Sequence, residues 1–384
     1  MVTSASNDPR LLTLLGNAYV ANRQNAKAGE IYQRVIAAAP DNQSARTRLA
    51  LTHLNTGDSK SAVKEFETIL EKDPDATRAN LFLVLTHLRN RNFGPASAAI
   101  ETLKKRLPDS PMPYNFQGTI NLAKSQTEEA KKNFKKALEL QPDFFPAALN
   151  LGEIERAAGN FDKARALYES ILKTNGKHLQ AMLLLSQVEQ SLNNQDQAEK
   201  WLTSAVKLNP DATQARLRLV NFLLQAKKLK QALSEARAFT QASPKNPDAL
   251  DALARAQFAV GQKQNAVASY RQLATIAPDS AVVHHRLGRS LATIKNFRDA
   301  KVALDRAIEL NPKLVTAKRD RIRVENQDKG ASAAIILTKS MIAAAPKEAA
   351  GHAILGDLYF TEKKYSTQRH NIIRPMKLRQ AGEL

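Results

Sequence analysis

Residues 108–142 read PDSPMPYNFQGTINLAKSQTEEAKKNFKKALELQP, a stretch that begins and ends on proline 34 residues apart. The same step recurs outward in both directions. Pro40, Pro74, Pro108 and Pro142 are evenly spaced, the next step falls on Gly176, and Pro210, Pro244, Pro278, Pro312 and Pro346 continue the series. With each proline set as position 32, repeats begin at Pro9, Gln43, Thr77, Pro111, Phe145, Leu179, Thr213, Pro247, Ala281 and Val315, and an eleventh at Ala349. Columns not used to set the register agree with it. Position 20 is alanine in all ten repeats: Ala28, Ala62, Ala96, Ala130, Ala164, Ala198, Ala232, Ala266, Ala300 and Ala334. Position 7 is leucine in eight, with Gln117 and Arg321 the exceptions, and position 8 is small except at Val84, Val220 and Ile322.

A 34-residue period of this kind resembles the tetratricopeptide repeat. It predicts an all-α fold, a right-handed α-α superhelix of ten helix pairs plus a partial eleventh. In chain order these are an N-terminal extension at 1–8, ten repeats at 9–348, a lone first helix (A) at 349–366 and a non-repeat tail at 367–384. Each column has a physical task. A small residue at position 8 is expected to face the alanine at 20 so that helices A and B approach closely. Leucine at 7 and the aromatic residue common at 24 (Tyr32, Phe66, Phe134, Tyr168, Tyr270) fill the seam. Proline at 32 stops helix B. The aspartate that follows it six times is expected to cap the next helix A. One repeat cannot bury its apolar face alone, and stacking closes the core.

The end of the chain breaks the pattern. Leu355, Gly356 and Tyr359 hold positions 7, 8 and 11, but position 20 is Gln368 and Pro375 falls inside the expected helix B, where proline costs about 3 kcal/mol. Two readings stand: a capping helix followed by a polar tail, or a frameshift after Ser366. Either leaves 367–384 without solenoid packing and the apolar face of 350–360 partly exposed.

Composition narrows the chemistry. The chain has 384 residues, a formal charge of +20, 43% hydrophobic residues and no cysteine. Disulfides, thiolate metal sites and cysteine nucleophiles are excluded, and an acidic partner is favoured. The best apolar stretch, Asn80 to Leu88, is far short of a spanning helix. The opening MVTSASNDPRLL has no basic and apolar leader pattern, so no signal peptide is expected. His53 and His87 both stand at position 11, with no acidic or cysteine ligand in matching register, so no metal site is expected. No catalytic set or phosphate loop rises above the repeat pattern; neither enzyme activity nor a cofactor is expected.

Helix A of such solenoids lines the concave face through positions 2, 5, 9, 12 and 13. There the chain carries Leu51, Leu54, Leu81, Leu85, Leu88, Leu122, Leu149, Leu183, Leu217 and Leu224, followed by Arg255, Arg289, Arg319 and Arg323. An exposed contiguous apolar surface marks an interaction site, so a protein or peptide with an acidic end is the expected partner. The competing reading is that the leucines pack between helices and the arginines are solvated. Asp251 and Asp320 lie close enough to quench part of the arginine potential. The lysine at position 5 of the chaperone-tail clamp of some tetratricopeptide proteins occurs in no repeat.

Three stretches carry a closer resemblance: DPDATRANLFLVLTHLRNRNFGPASAAIETL, PDSPMPYNFQGTINLAK and PDFFPAALNLGEIERAAGNFDKARALYESILKTNGKHLQAM. They look like the tetratricopeptide lipoproteins of the PEP-CTERM/exosortase system. That resemblance implies a periplasmic or envelope scaffold linked to exopolysaccharide export and protein sorting. The chain departs from it in lacking a signal peptide and a lipid-bearing cysteine, and reads as an internal fragment or a gene missing its start. Direct binding of an acidic polymer is the alternative function; an anionic polysaccharide fits it better than nucleic acid, for which stacking platforms are lacking.

Overall fold

The computed structural model describes residues 8–346 and 351–360. They are helical throughout, with short connections and no strand among the described residues. The chain divides into two compact halves, residues 1–194 and 195–384.

The first half holds α1 (Pro9–Ala21), α2 (Asn25–Ala38), α3 (Gln43–Thr56), α4 (Ser59–Lys72), α5 (Thr77–Arg89), α6 (Phe93–Arg106), α7 (Pro111–Ala123), α8 (Thr127–Leu140), α9 (Phe145–Ala157), α10 (Phe161–Thr174) and α11 (Leu179–Ser191). The second holds α12 (Gln195–Leu208), α13 (Thr213–Gln225), α14 (Leu229–Ala242), α15 (Pro247–Ala259), α16 (Lys263–Ile276), α17 (Ala281–Thr293), α18 (Phe297–Leu310), α19 (Val315–Lys329) and α20 (Ala331–Ala344), and residues 351–360 are helical as well. Every odd-numbered helix begins on a residue that the proline series picked out as a repeat start. Each half is a tetratricopeptide-type α-α superhelix in which consecutive helices pack on one another.

Helix A ends the same way almost everywhere. Position 15 adopts a left-handed backbone in nine repeats, at Arg23, Gly57, Arg91, Ser125, Gly159, Asn193, Lys227, Gly261 and Lys295. That conformation ends the helix and turns the chain back. In the tenth repeat α19 runs to Lys329, and the positive φ moves to Gly330.

All ten position-20 alanines are completely enclosed, at 0% exposure. Their partners differ from the sequence-based expectation. The nearest atoms to the glycines at position 8 of four repeats belong to the side chain at position 24, which the alanine at 20 joins through its backbone at Gly288. A Cβ on Gly16 would stand 2.6 Å from Cε1 of Tyr32, and one on Gly118 2.6 Å from Cε1 of Phe134. On Gly288 it would stand 2.6 Å from Cγ of Leu304 and 3.0 Å from the Ala300 carbonyl oxygen, so there the alanine's backbone closes the approach too. The three exceptions at position 8 become intelligible. Val84, Val220 and Ile322 stand opposite Ile100, Ala236 and Thr338, where no ring has to be accommodated.

A second expectation is corrected. The aspartate after the proline does not cap the next helix, because the capping position is one residue later. Asn42 accepts from the Ala45 amide at 2.9 Å, and Ser110 from the Met112 amide at 3.3 Å. Asp41 instead pairs with Lys72 at 2.7 Å and Asp75 with Arg106, each on helix B of the following repeat.

In residues 351–360, Ile354 is buried against the α19–α20 cluster, while Tyr359 and Phe360 are 43% and 73% exposed. The extension at 1–7 and the tail at 367–384 lie outside the described residues.

Candidate functional site: a guanidinium-lined cleft in the second half

Stacked first helices touch one another, and the contact has a fixed spacing. Position 5 of one repeat meets position 6 of the next, 35 residues on: Asn150 Nδ2 donates to Asn115 Oδ1 at 3.1 Å, Arg286 pairs with Asp251, and His285 with Asp320 at 2.7 Å. Position 5 is therefore occupied with joining repeats in these three, rather than turned freely to a ligand.

The leucines separate in the same way. Leu183 is completely enclosed and is withdrawn as a contact residue. Leu51, Leu54 and Leu88 are half-buried on the core around Phe66 and Ile100, Leu122 on that around Phe134, and Leu217 and Leu224 on that around Phe239. Leu81 and Leu149 are half-buried too. Among the ten, Leu85 alone is exposed, at 42%. Branched apolar side chains at 5, 9 and 12 gain more by bridging adjacent helices than by facing water.

The arginines behave differently. Arg255, Arg289 and Arg323, at position 9 of successive repeats, come together with Arg286 around two adjoining clefts that share Phe258 and Arg289. One, of about 170 Å3, is walled by Phe258, Thr293, Val324 and Gln327; the other, of about 290 Å3, reaches Tyr270 and Ser290. Arg319 is exposed and lines neither. Sequence reasoning missed Phe258, although position 12 was among the helix-A positions expected to face a ligand. Arg286 carried no such signal, since position 6 was not among them.

Two carboxylates organise the arginines. Asp251 accepts from Arg255 Nε at 2.8 Å and pairs with Arg286. Asp320 is 9% exposed and accepts from His285 Nε2 at 2.7 Å and Arg323 Nη1 at 2.9 Å, with Arg289 Nε at 3.4 Å. Burial alone would raise the Asp320 carboxyl, but the His285 hydrogen bond and the two guanidiniums outweigh it and hold it below its usual range. An ionised Asp320 only accepts, so His285 Nε2 carries the proton. Burial, and Asp251 nearby, push the Tyr270 hydroxyl up to about 12, with Arg286, Arg255 and Arg289 opposing. It stays neutral at ordinary pH.

Sequence models described as "Tetratricopeptide repeat" match residues 19–76, 121–187, 155–218, 248–280 and 281–314, together more than half of the chain. The chain belongs to the tetratricopeptide-repeat proteins. No curated protein matches it. Among solved structures it is similar to a tetratricopeptide repeat protein from Parabacteroides merdae ATCC 43184, at 13% identity and a TM-score of 0.47 over 65% of this chain and 98% of that one. It is similar also to PilF of Pseudomonas aeruginosa, at 17% identity and 0.44 over 56% and 97%. A thermophilic tetratricopeptide protein of Thermus thermophilus matches at 23% identity and 0.39 over 47% and 99%. Among the described residues no group of three or more His, Cys, Asp or Glu is arranged to hold a metal ion, and no helix is long and apolar enough to cross a membrane.

Proposed function

We propose that this tetratricopeptide-repeat protein is a non-catalytic interaction scaffold whose helix-A face binds a segment of a partner protein. The observation that carries the reading is the convergence of Arg255, Arg286 and Arg289 on one cleft that adjoins a second, containing Arg323. Guanidiniums gathered in a concave wall focus a positive potential and present planar donor forks to carboxylates. The net charge of +20 is in keeping with an acidic partner. In the first half, taken by itself, Leu85 is exposed and Leu122 half-buried, both on first helices. The resemblance to exosortase-system lipoproteins supports an envelope role in exopolysaccharide export or sorting.

The test begins with isolation of the partner by pull-down. Charge reversal at Arg289 and Arg323 together, and separately Leu85→Asp with Leu122→Asp, should each weaken that partner while helical content is kept. Binding that is indifferent to both pairs would move the partner to the helix-B face or the edges. The second reading, an acidic polymer, is favoured by the overall charge. It predicts a steep loss of affinity with salt, where an apolar peptide contact would respond little.

A further inference from the structure

We infer that the smaller cleft, between Phe258, Arg289 and Arg323, is a subsite for a single carboxylate of an acidic peptide, with Asp320 as the residue that positions the two arginines. This deepens the proposed function and rests on its helix-A-face reading.

Four guanidiniums (Arg255, Arg286, Arg289 and Arg323) line the adjoining clefts, and two carboxylates, Asp251 and Asp320, are within pairing distance of them. Two positive charges are left without a counter-charge at the site.

Geometry says where that excess points. Asp320 is buried and engages each neighbouring arginine through one nitrogen, Nε of Arg289 at 3.4 Å and Nη1 of Arg323 at 2.9 Å. The remaining N–H groups of both arginines have no partner among the described residues, and their side chains are 55% and 58% exposed. Each guanidinium is thus anchored on one edge, with the rest of its donor fork open to the cleft. His285 Nε2 hydrogen-bonds Oδ2 of the same carboxylate at 2.7 Å, which ties the anchor to α17. A ligand carboxylate between the two arginines would complete the set with charge-assisted, two-pronged hydrogen bonds.

Size and lining restrict the class. About 170 Å3 is roughly the room of six waters, enough for one acidic side chain or one chain end. Thr293 and Gln327 offer further polar groups, and Phe258 and Val324 make one wall apolar, lowering the local dielectric. A nucleic acid would need phosphate contacts along a track and bases stacked on exposed rings. Tyr270, the second aromatic residue of the clefts, is 4% exposed and cannot stack.

The experiment uses the full chain at low salt and three labelled probes. These are hexaglutamate blocked at both ends, hexaglutamine with a free C-terminal carboxylate, and a single-stranded oligonucleotide. Blocked hexaglutamate should saturate one site and lose at least tenfold in affinity in Arg289→Gln/Arg323→Gln. Both arginines are more than half exposed, so this variant should keep its helical content and melting temperature. Arg91→Gln/Lys105→Gln, outside the cleft, should bind as the parent does. If free-ended hexaglutamine binds with the same arginine dependence and blocked hexaglutamate does not, the subsite still takes a carboxylate, and its source is a chain end. Three results overturn the inference: no saturable peptide binding, an equal loss in the control variant, or tighter binding of the oligonucleotide through the same two arginines. Loss of the inference leaves the broader reading intact if Leu85→Asp/Leu122→Asp still releases the isolated partner. If that partner is indifferent to the leucine and arginine pairs alike, the broader reading fails, while the probe titrations still judge the cleft.

Discussion

A methyl group on Gly118 would stand 2.6 Å from Cε1 of Phe134. Position 8 of helix A and position 24 of helix B thus share one volume, and the chain divides it differently from repeat to repeat: glycine with a ring, alanine with a ring (Ala50 and Phe66, Ala254 and Tyr270), or a branched residue with a smaller partner (Val220 and Ala236).

Gly118→Ala should therefore lower stability by about 1–3 kcal/mol, since the ring must move within a packed seam. Adding Phe134→Leu should recover part of it. A double-mutant cycle by urea unfolding should give a coupling of about 0.5–3 kcal/mol between the two sites. Additive effects would show that the columns do not share space.

Ala164 is completely enclosed on α10, as its counterparts are in every other repeat. Leucine there has no free space to enter and must displace its neighbours, and the expected cost is about 1–3 kcal/mol. An unchanged thermal transition in Ala164→Leu would remove position 20 from the seam.

Lys227 ends α13 with φ of 57°. A left-handed backbone costs a side-chain-bearing residue about 1–2 kcal/mol that glycine does not incur, against about 0.5–1 kcal/mol of extra chain entropy lost by glycine on folding. Lys227→Gly should leave stability unchanged or raise it by up to about 1.5 kcal/mol. A loss above 1 kcal/mol by denaturant titration would mean that the lysine side chain contributes contacts of its own.

Glu325 is buried on α19 and faces Arg321 at 2.8 Å, Lys301 at 3.0 Å and Lys329 at 3.3 Å. Burial by itself raises its carboxyl, but the three cations outweigh this and hold it at about 2, against an ordinary 4.5. A group depressed on folding stabilises above its unfolded value, and that contribution fades as the folded value is approached from above. The stability advantage of the parent over Glu325→Gln should be full above pH 4.5 and should shrink as the pH falls toward 2. Parallel melting curves for the two proteins across that range would contradict the pairing.

How much was legible in advance follows from which residues act locally and which act at a distance. The proline series and the alanine column gave the start of every odd-numbered helix, because a helix stop and a close helix contact are short-range requirements that recur with the repeat. The arginines at position 9 were legible as a ladder for the same reason, since residues 34 apart occupy equivalent places on successive helices. Reading which side chains were left over for a ligand was harder. Leu149 and Leu183 both stand at position 5 of adjacent repeats, yet one is half-buried and the other completely enclosed, because neighbours from adjacent repeats decide how far each is covered. Asp320 and His285, on different helices, become a buried pair only once α17 and α19 are stacked.

The sequence by itself determined the all-helical repeat, its register and the residue types available on each face, since 34-residue periodicity is written into the order of small, apolar and helix-stopping residues. Tertiary structure alone decided that position 8 is shared with the side chain at 24, that most of the leucines belong to the core, and that two carboxylates hold four arginines around a pair of clefts. Those outcomes depend on volumes and charges brought together from several repeats, which no single repeat specifies.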